Sequence, residues 1–298
     1  MGFRRVPGSR CRGELRPPAA DRHGLAVLDV ASVAERARGE NFPVASLAFP
    51  RELRPHIRAL YSYARLVDIL GDELEGGPKA RLSALDELER EVDAAYAGTA
   101  TWPVLVELQP TIREFELPRE PFARLIEANR IDQRVSEYET WDDVKHYCVH
   151  SADPCGRLVL GVLRRLDDEE AVALSDDVCT GLQLVNFVQD VPRDLALGRI
   201  YLPAEDRRRF GVETLGEPNE PLRRLLEFEA GRARVLLASG EPLGRRLGGR
   251  TGRAVTAFSR GGIAAVEALE RAQFDVFSQR PKPSRMRLAR TAVGALVP

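Results

Sequence analysis

The stretch "RPHIRALYSYARLVDILGDE", residues 54–73, carries two parallel helical patterns. An apolar stripe is formed by Ile57, Leu60, Ala64 and Val67. A polar stripe beside it is formed by Tyr61, Arg65, Asp68 and Asp72. Carboxylates four residues apart lie on one side of an α-helix, about 6 Å apart along its axis, where like charges repel. The polar stripe therefore indicates either a solvated helix edge or half of a Mg²⁺ site, because this cation prefers oxygen ligands.

A second stretch, "LQLVNFVQDVPRDLALGRIYLP" at residues 182–203, repeats the pattern. Its polar stripe is formed by Gln183, Asn186, Asp190 and Asp194. Two such helices facing each other would hold Mg²⁺ and bind the oxygens of a diphosphate. Loss of diphosphate would leave a carbocation, which an apolar cavity would hold. Pro192 should kink this helix, so the spacing alone does not place Asp194 at the site.

Arginines close to the two acidic stripes are candidates for contacts with the diphosphate. Arg65 lies within the first stripe, and Arg199 follows the second. A guanidinium presents a fork of N–H donors that suits phosphate oxygens. The sequence equally allows each arginine to be solvated or paired with a carboxylate.

The rest of the chain predicts a single all-α domain over residues 29–279. Long segments of helical periodicity are separated by short segments rich in proline and glycine. These separating segments are "LEGGPK", "ATWPV", "ELPREP" and "LGEPNEP". Alternating strand patterns with hairpin turns are absent from the sequence, as is any regular repeat.

Composition narrows the class of protein. The 298 residues are 44% hydrophobic and 30% charged, which is typical of a globular protein. A net charge of -1 argues against nucleic acid as a partner, because binding to a phosphate backbone needs basic excess. The four cysteines show no CxxC spacing, which fits a reducing cytoplasm. No apolar run approaches the roughly 20 residues that span a bilayer.

The two ends of the chain differ from the domain between them. Residues 1–28 contain arginines but no apolar run after them, so we expect a disordered tail and no secretion signal. Residues 280–298 form a basic tail without acidic residues. This tail would suit transient contact with an anionic membrane surface, although a frayed terminus explains it equally well. The expected location is cytoplasmic, with a peripheral position on the membrane as an option.

The two acidic stretches, together with "YCVHSADPCGRLVL" at residues 147–160, resemble the squalene and phytoene synthase family. The resemblance runs from about residue 40 to residue 279. Within this family, "ENFPVAS" at residues 40–46 and "GRIYLPAEDRRRFGV" at residues 198–212 are most similar to the bacterial hydroxysqualene synthase branch of hopanoid biosynthesis. The other branches usually carry a "VAG" type triplet at residues 151–153, where this chain has "SAD", and tend to carry arginine at Gln189.

The resemblance implies an isoprenoid synthase fold around a central cavity, and an activity. That activity is conversion of presqualene diphosphate and water to hydroxysqualene and diphosphate, with Mg²⁺ and without NADPH. The implied metal ligands are Asp68, Asp72, Asn186, Asp190 and Asp194. The implied substrate-binding residues are Tyr61, Arg65, Tyr147, Gln183, Arg199 and Tyr201, of which Arg65, Tyr147 and Tyr201 would be catalytic. Ile69 departs from the paired aspartates that are common in the first motif, which thins its acidic edge.

The central stretch has features of its own. Thr140 and Asp143 predict a capping box at the start of a helix, and Pro154 predicts a kink further along. Cys148 is interpreted as a core residue. His150 and Asp153 are candidates for positioning an attacking water, against the simpler interpretation as structural residues.

Other functions remain open at this point. The first alternative is a head-to-head prenyltransferase that makes presqualene diphosphate, squalene or phytoene from two shorter diphosphates, such as farnesyl diphosphate. The second is a non-catalytic helical homologue that binds lipid or protein, against which the complete set of acidic residues argues. Functional coupling to other enzymes of squalene synthesis is also expected. The glycine- and arginine-rich residues 239–253 lack a phosphate-loop pattern and are interpreted as a flexible loop between helices.

Overall fold

The computed structural model describes residues 49–284. Within this range the chain forms twelve α-helices and one π-helical turn, Ile69–Glu73. The α-helices are α1 (Arg54–Asp68), α2 (Gly77–Ala97), α3 (Pro103–Phe115), α4 (Glu120–Ile131), α5 (Trp141–Ser151), α6 (Asp153–Val162), α7 (Glu169–Gln189), α8 (Val191–Ala196), α9 (Ala204–Phe210), α10 (Glu220–Ser239), α11 (Pro242–Leu247) and α12 (Gly249–Arg271).

The all-α prediction is confirmed over the described residues. Extended pairing in this range is limited to an isolated bridge between Glu137 and Ile200. The four segments predicted to separate helices lie where one helix ends and the next begins. Two of these helix ends use glycine with positive φ, at Gly98 and Gly211, a conformation that side chains with a Cβ rarely adopt.

Two large hydrophobic cores hold most of the described helices together. The first is built mainly from α1 to α4, and the second mainly from α5, α7, α10 and α12. Leu85 and Leu88 in the first core, and Leu225 and Leu237 in the second, are fully buried. Burial of a leucine side chain contributes about 1.5–3 kcal/mol, so these contacts carry much of the stability. A large cavity lies between the two cores, because its apolar lining draws on both.

Three helices lose regular α-geometry where they border this cavity. Helix α1 passes into the π-helical turn directly after Asp68. Helices α5 and α6 are separated at Ala152, and α7 and α8 at Asp190. The predicted breaks at Pro154 and Pro192 are thus confirmed, because each proline occupies the first turn of the new helix.

The interpretation of residues 239–253 as a flexible loop is wrong. This segment forms α11 and the first residues of α12. Its glycines permit close packing of the two helices, because a Cβ at Gly252 would lie 2.0 Å from the carbonyl oxygen of Gly244. Glycine here indicates a close backbone approach.

Several predictions concern parts of the chain outside the described residues. These are the disordered tail at 1–28, the domain start at residue 29, the stretch at 40–46 and the basic tail after residue 284. The described part of that tail, residues 280–284, packs beside the cavity. Among the described helices, none is both long and apolar enough to cross a bilayer.

Candidate active site

A cavity of about 510 Å³ brings together almost all of the predicted site residues. Its lining includes all five predicted metal ligands, together with Arg65, Tyr147, Gln183, Arg199 and Tyr201. Tyr61 is the exception, because it lies one helical turn before Arg65 and is not part of the lining. Ten of the eleven predicted site residues thus line one cavity, and Tyr61 does not.

The first acidic wall consists of the end of α1 and the π-helical turn. Asp68 is the last residue of α1, and its side chain is 56% exposed. Asp72 lies within the turn, and its side chain is only 20% exposed. The expectation of a regular α-helix through both residues is therefore corrected. Ile69 is buried in the first core, so an isoleucine at this position does not reduce the acidity of the cavity wall.

The second acidic wall spans the break between α7 and α8. Gln183 and Asn186 project from the last turns of α7, and Asp190 is the residue between the two helices. The backbone N–H of Asp194 donates to the carbonyl of Asp190 over 2.8 Å, so α8 starts at once after the break. This local geometry brings Asp194 to the cavity despite Pro192.

Ion pairs connect the acidic walls to basic residues. Arg199 donates to Asp72 over 2.7 Å and is itself buried. Arg193 approaches the other oxygen of Asp72 at 3.7 Å. Arg280 pairs with Asp190, with its Nε 2.5 Å from one carboxylate oxygen. Arg199, predicted to contact diphosphate, is thus a carboxylate-paired arginine in this structure.

The donor chemistry of the two walls suits Mg²⁺. All five predicted ligands offer carboxylate or amide oxygens to one cavity. In residues 49–284 no three acidic, histidine or cysteine side chains form a ready-made cage. Mg²⁺ does not need one, since it retains several waters and is held by one or two carboxylates together with substrate phosphates. Burial, and to a smaller degree the nearby Asp190, raise the pKa of Asp194 to about 7.

A tyrosine wall lies beside the acidic walls. Tyr147 of α5 and Tyr201 both line the cavity, and the ring of Tyr201 stacks on Phe187 with centroids 4.1 Å apart. The two hydroxyls donate to one carboxylate, that of Asp132, over 2.7 and 2.8 Å. Burial raises the pKa of both tyrosines well above the usual value, so both are neutral phenols near pH 7.

Asp132, behind the tyrosine wall, is a residue that the sequence did not connect to the site. It follows the end of α4 and has neither a DxxxD partner nor a motif around it. Its side chain is 7% exposed, and Arg199 Nη1 lies 3.7 Å from it. Burial raises its pKa to about 6, although Arg199 and the two tyrosines act in the opposite direction. Its role became visible only when the fold brought three separate segments of the chain together.

The central helix confirms some predictions and removes others. Thr140 and Asp143 form the predicted capping box, and Cys148 is buried in the second core. His150 and Asp153 do not line the cavity, so their placement does not support a role in positioning water. Asp153 instead accepts a hydrogen bond from Thr180 over 2.9 Å. Ser151, between them, does line the cavity.

The C-terminal segment adds basic groups that the sequence did not connect to the site. Arg280 and Lys282 both line the cavity. The side-chain amide of Gln189 donates to the carbonyl of Pro281 over 2.5 Å and so anchors the segment between them. Part of the predicted basic tail therefore belongs to the cavity.

Comparison with known proteins agrees with this architecture. The family model for squalene/phytoene synthases matches residues 36–287. The hydroxysqualene synthase of Rhodopseudomonas palustris (strain ATCC BAA-98 / CGA009) is 37% identical over 213 residues, or 69% of this chain and 70% of that protein. The presqualene diphosphate synthase of the same strain is 31% identical over 180 residues, or 59% of this chain and 62% of that protein.

Among solved structures, the squalene synthase HpnC of Alicyclobacillus acidocaldarius has 44% sequence identity and a TM-score of 0.75. The superposition covers 83% of this chain and 94% of that protein. The isoprenoid synthase fold predicted from the motifs is thereby confirmed. The chain belongs to the squalene/phytoene synthase family.

Proposed function

We propose that the protein converts presqualene diphosphate and water to hydroxysqualene and diphosphate. The observation that carries this proposal is the single cavity in which two acidic walls and a set of basic side chains meet a wall of aromatic and aliphatic groups. The charged part suits a leaving diphosphate, and the apolar part suits an isoprenoid cation. The site needs both parts because ionisation of the substrate produces the diphosphate and the carbocation in the same step.

In this proposal Mg²⁺ is held by Asp68, Asp72, Asn186, Asp190 and Asp194. When bound, Mg²⁺ neutralises charge on the diphosphate oxygens as they leave. Direct contacts to those oxygens come from the basic side chains in the lining, which are Arg65, Arg193, Arg199, Arg280 and Lys282. Arg199 and Arg280 already pair with Asp72 and Asp190, so the structure holds these donors close to the acidic walls.

The remaining wall of the cavity contacts the hydrocarbon part of the substrate. Val67, Leu125 and Ala128 exclude water from most of the isoprenoid chain. Tyr147, Tyr201 and Phe187 place aromatic rings beside them, and aromatic faces attract cations. The reaction needs one water at the cationic carbon, so exclusion of water elsewhere protects the product from other additions.

The choice among the reactions of this family rests on two observations. The chain is more similar to a hydroxysqualene synthase than to the presqualene diphosphate synthase of the same strain. It also carries Ser151, Ala152 and Asp153 where the other branches usually have a "VAG" triplet. Ser151 places a hydroxyl-bearing side chain on the cavity wall, where a valine would be apolar.

Incubation of the purified chain with presqualene diphosphate and Mg²⁺ in ¹⁸O-labelled water tests the proposal. We expect hydroxysqualene with one ¹⁸O atom, detected by mass spectrometry, and an equal amount of diphosphate. A parallel incubation with farnesyl diphosphate, with and without NADPH, tests the head-to-head prenyltransferase alternative. Condensation of farnesyl diphosphate, or no turnover of either substrate, would reject the proposed reaction.

The apolar substrate and product imply transient contact with a membrane, and another enzyme must supply presqualene diphosphate. Sedimentation with anionic liposomes compares the full chain with a chain ending at Ser284, which retains Arg280 and Lys282. Weaker sedimentation of the shorter chain assigns membrane contact to the basic tail. Equal sedimentation of both chains places the contact elsewhere.

A further inference from the structure

The hydrogen bonds of the tyrosine wall fix the direction of two phenol hydrogens. Each neutral phenol has one hydrogen to donate. Tyr147 gives its hydrogen to one oxygen of Asp132, and Tyr201 gives its hydrogen to the other. The two phenol oxygens have no further hydrogen to donate, so in every other direction they present only lone pairs.

Asp132 lies behind the tyrosine wall, on the side away from the cavity. It does not line the cavity, whereas both tyrosines do. A buried carboxylate needs compensation, and it receives two hydroxyl donors together with Arg199 at 3.7 Å. The alternative in which a tyrosine hydrogen points into the cavity would cost Asp132 a charge-assisted hydrogen bond.

We propose that Asp132 is a positioning residue that turns the phenol oxygens of Tyr147 and Tyr201 into acceptors toward the cavity. This inference rests on the proposed function and deepens it. Two partly negative oxygens then face the carbocation, and neither tyrosine delivers a proton to the departing diphosphate. Protonation of that group falls instead to solvent, after the basic side chains have stabilised its charge.

Tyr138 provides an internal contrast. Its ring lies 5.9 Å from that of Tyr201 and 5.5 Å from that of Tyr147, so it belongs to the same aromatic cluster. Its hydroxyl is buried without a hydrogen-bond partner among the described residues, and the residue does not line the cavity. A shared aromatic environment therefore does not by itself connect a tyrosine to Asp132.

The test is a set of variants in the purified full-length chain, with kcat and KM measured on presqualene diphosphate. Asn at position 132 would donate to one tyrosine and force that tyrosine's hydrogen elsewhere. We expect Asp132→Asn to lower kcat about 100-fold and to leave KM within about threefold, as for loss of an interaction made in the transition state. Tyr138→Phe and Asp206→Asn, which alter a phenol and a buried carboxylate outside the cavity, should retain kcat.

Non-additivity separates positioning from general damage to the fold. In a Tyr147→Phe/Tyr201→Phe background, Asp132→Asn should lower kcat less than about threefold further, because its targets are gone. Independent, multiplicative losses would overturn the inference.

A binding measurement covers the case in which Asp132→Asn does not fold, and it needs no turnover. Protonated dimethylfarnesylamine is compared with its neutral carbon isostere by calorimetry, in the presence of Mg²⁺ and diphosphate. Wild type should prefer the cation, and the preference should fall at least about fivefold in Tyr147→Phe and in Tyr201→Phe but not in Tyr138→Phe. An unchanged preference would overturn the inference even if hydroxysqualene is the product, and a lost preference would support it even if another isoprenoid is.

Discussion

Two groups of buried charged residues in this protein use the same ingredients in different ways. In the first, Arg199 lies between Asp72 and Asp132. In the second, which we call the distal cluster, Arg232 lies between Asp206 and Glu229. The guanidinium of Arg232 is covered by aromatic rings, 5.0 Å from the centroid of Trp141 and 4.4 Å from that of Phe228.

The difference lies in what each group borders. Both carboxylates of the distal cluster are buried, with Glu229 only 2% and Asp206 only 3% exposed, and the Arg232 side chain is 22% exposed. Arg199 and Asp72 instead line the cavity, and Asp132 supports two tyrosines that line it. The distal cluster packs against aromatic rings and is expected to contribute to the stability of the fold. The charged residues beside the cavity remain accessible to a ligand. Mutations should therefore separate activity from stability.

The largest effect is expected from removing a cavity carboxylate. Asp68→Asn should lower turnover of presqualene diphosphate by about 10³-fold, because loss of metal binding removes several kcal/mol of transition-state stabilisation. The melting temperature should stay within about 2 °C, since substitution of an exposed side chain changes stability little. Glu107→Gln, on the exposed side of α3, is the matched control. Full activity of Asp68→Asn would remove Asp68 from the metal-binding set.

A change in the distal cluster should have the opposite profile. Asp206→Asn weakens the charge pair with Arg232 and should lower the free energy of unfolding by about 3 kcal/mol. The kcat of the folded protein should be unchanged. Urea denaturation and single-temperature kinetics measure the two quantities. A large loss of kcat without loss of stability would show that the distal cluster communicates with the cavity.

The pH dependence of stability should also identify the distal cluster. Burial, and to a smaller degree the nearby Asp206, raise the pKa of Glu229 from 4.5 to about 7, with Arg232 opposing the shift. The folded state thus holds this proton more tightly than the unfolded state. The resulting stability is complete below pH 4.5 and is lost as the pH rises through about 7.

Wild type should accordingly lose on the order of 2 kcal/mol relative to Glu229→Gln between pH 5 and pH 8. The difference between the two urea-denaturation profiles measures this quantity and cancels the contribution of other groups. Parallel profiles would mean that Glu229 titrates normally in the folded protein.

The smallest effect is expected at the edge of the cavity. Gln189→Leu removes the hydrogen bond to Pro281, worth about 1 kcal/mol, and loosens the segment that carries Arg280 and Lys282. Hydrogen exchange in residues 278–284 should become faster, and KM should rise about fivefold. Gln109→Leu is a matched control, because the amide nitrogen of Gln109 has no hydrogen-bond partner among the described residues. Unchanged exchange would show that other contacts hold the segment.

The sequence revealed the acidic walls better than the tyrosine wall, for a physical reason. A DxxxD spacing is local, so it could be recognised without knowledge of the fold. Proline also acts locally, so the breaks at Pro154 and Pro192 were predictable. Asp132 joins Tyr147 and Tyr201 across 15 and 69 residues, and such a juxtaposition exists only after the helices have packed.

Two further differences between expectation and structure have the same origin. Arg280 and Lys282 were assigned to a tail because their sequence context is basic, yet the fold returns them to the cavity. The glycines of residues 239–253 suggested flexibility, although tight packing of α11 on α12 requires them. The composition of these two segments allows several conformations, and contacts with the rest of the fold select the one that is observed.

The π-helical turn at Ile69–Glu73 gives α1 an unusual tolerance to change in chain length. A π-turn accommodates one residue more than an α-turn, so deletion of a single residue here can be absorbed by a return to α-geometry. The apolar face of Arg54–Asp68 would keep its register against the first core. Because the resulting α-turn would span the same stretch with one residue fewer, the residues before and after it would keep their places. A deletion that spares Asp68 and Asp72 would therefore retain both the fold and the first acidic wall.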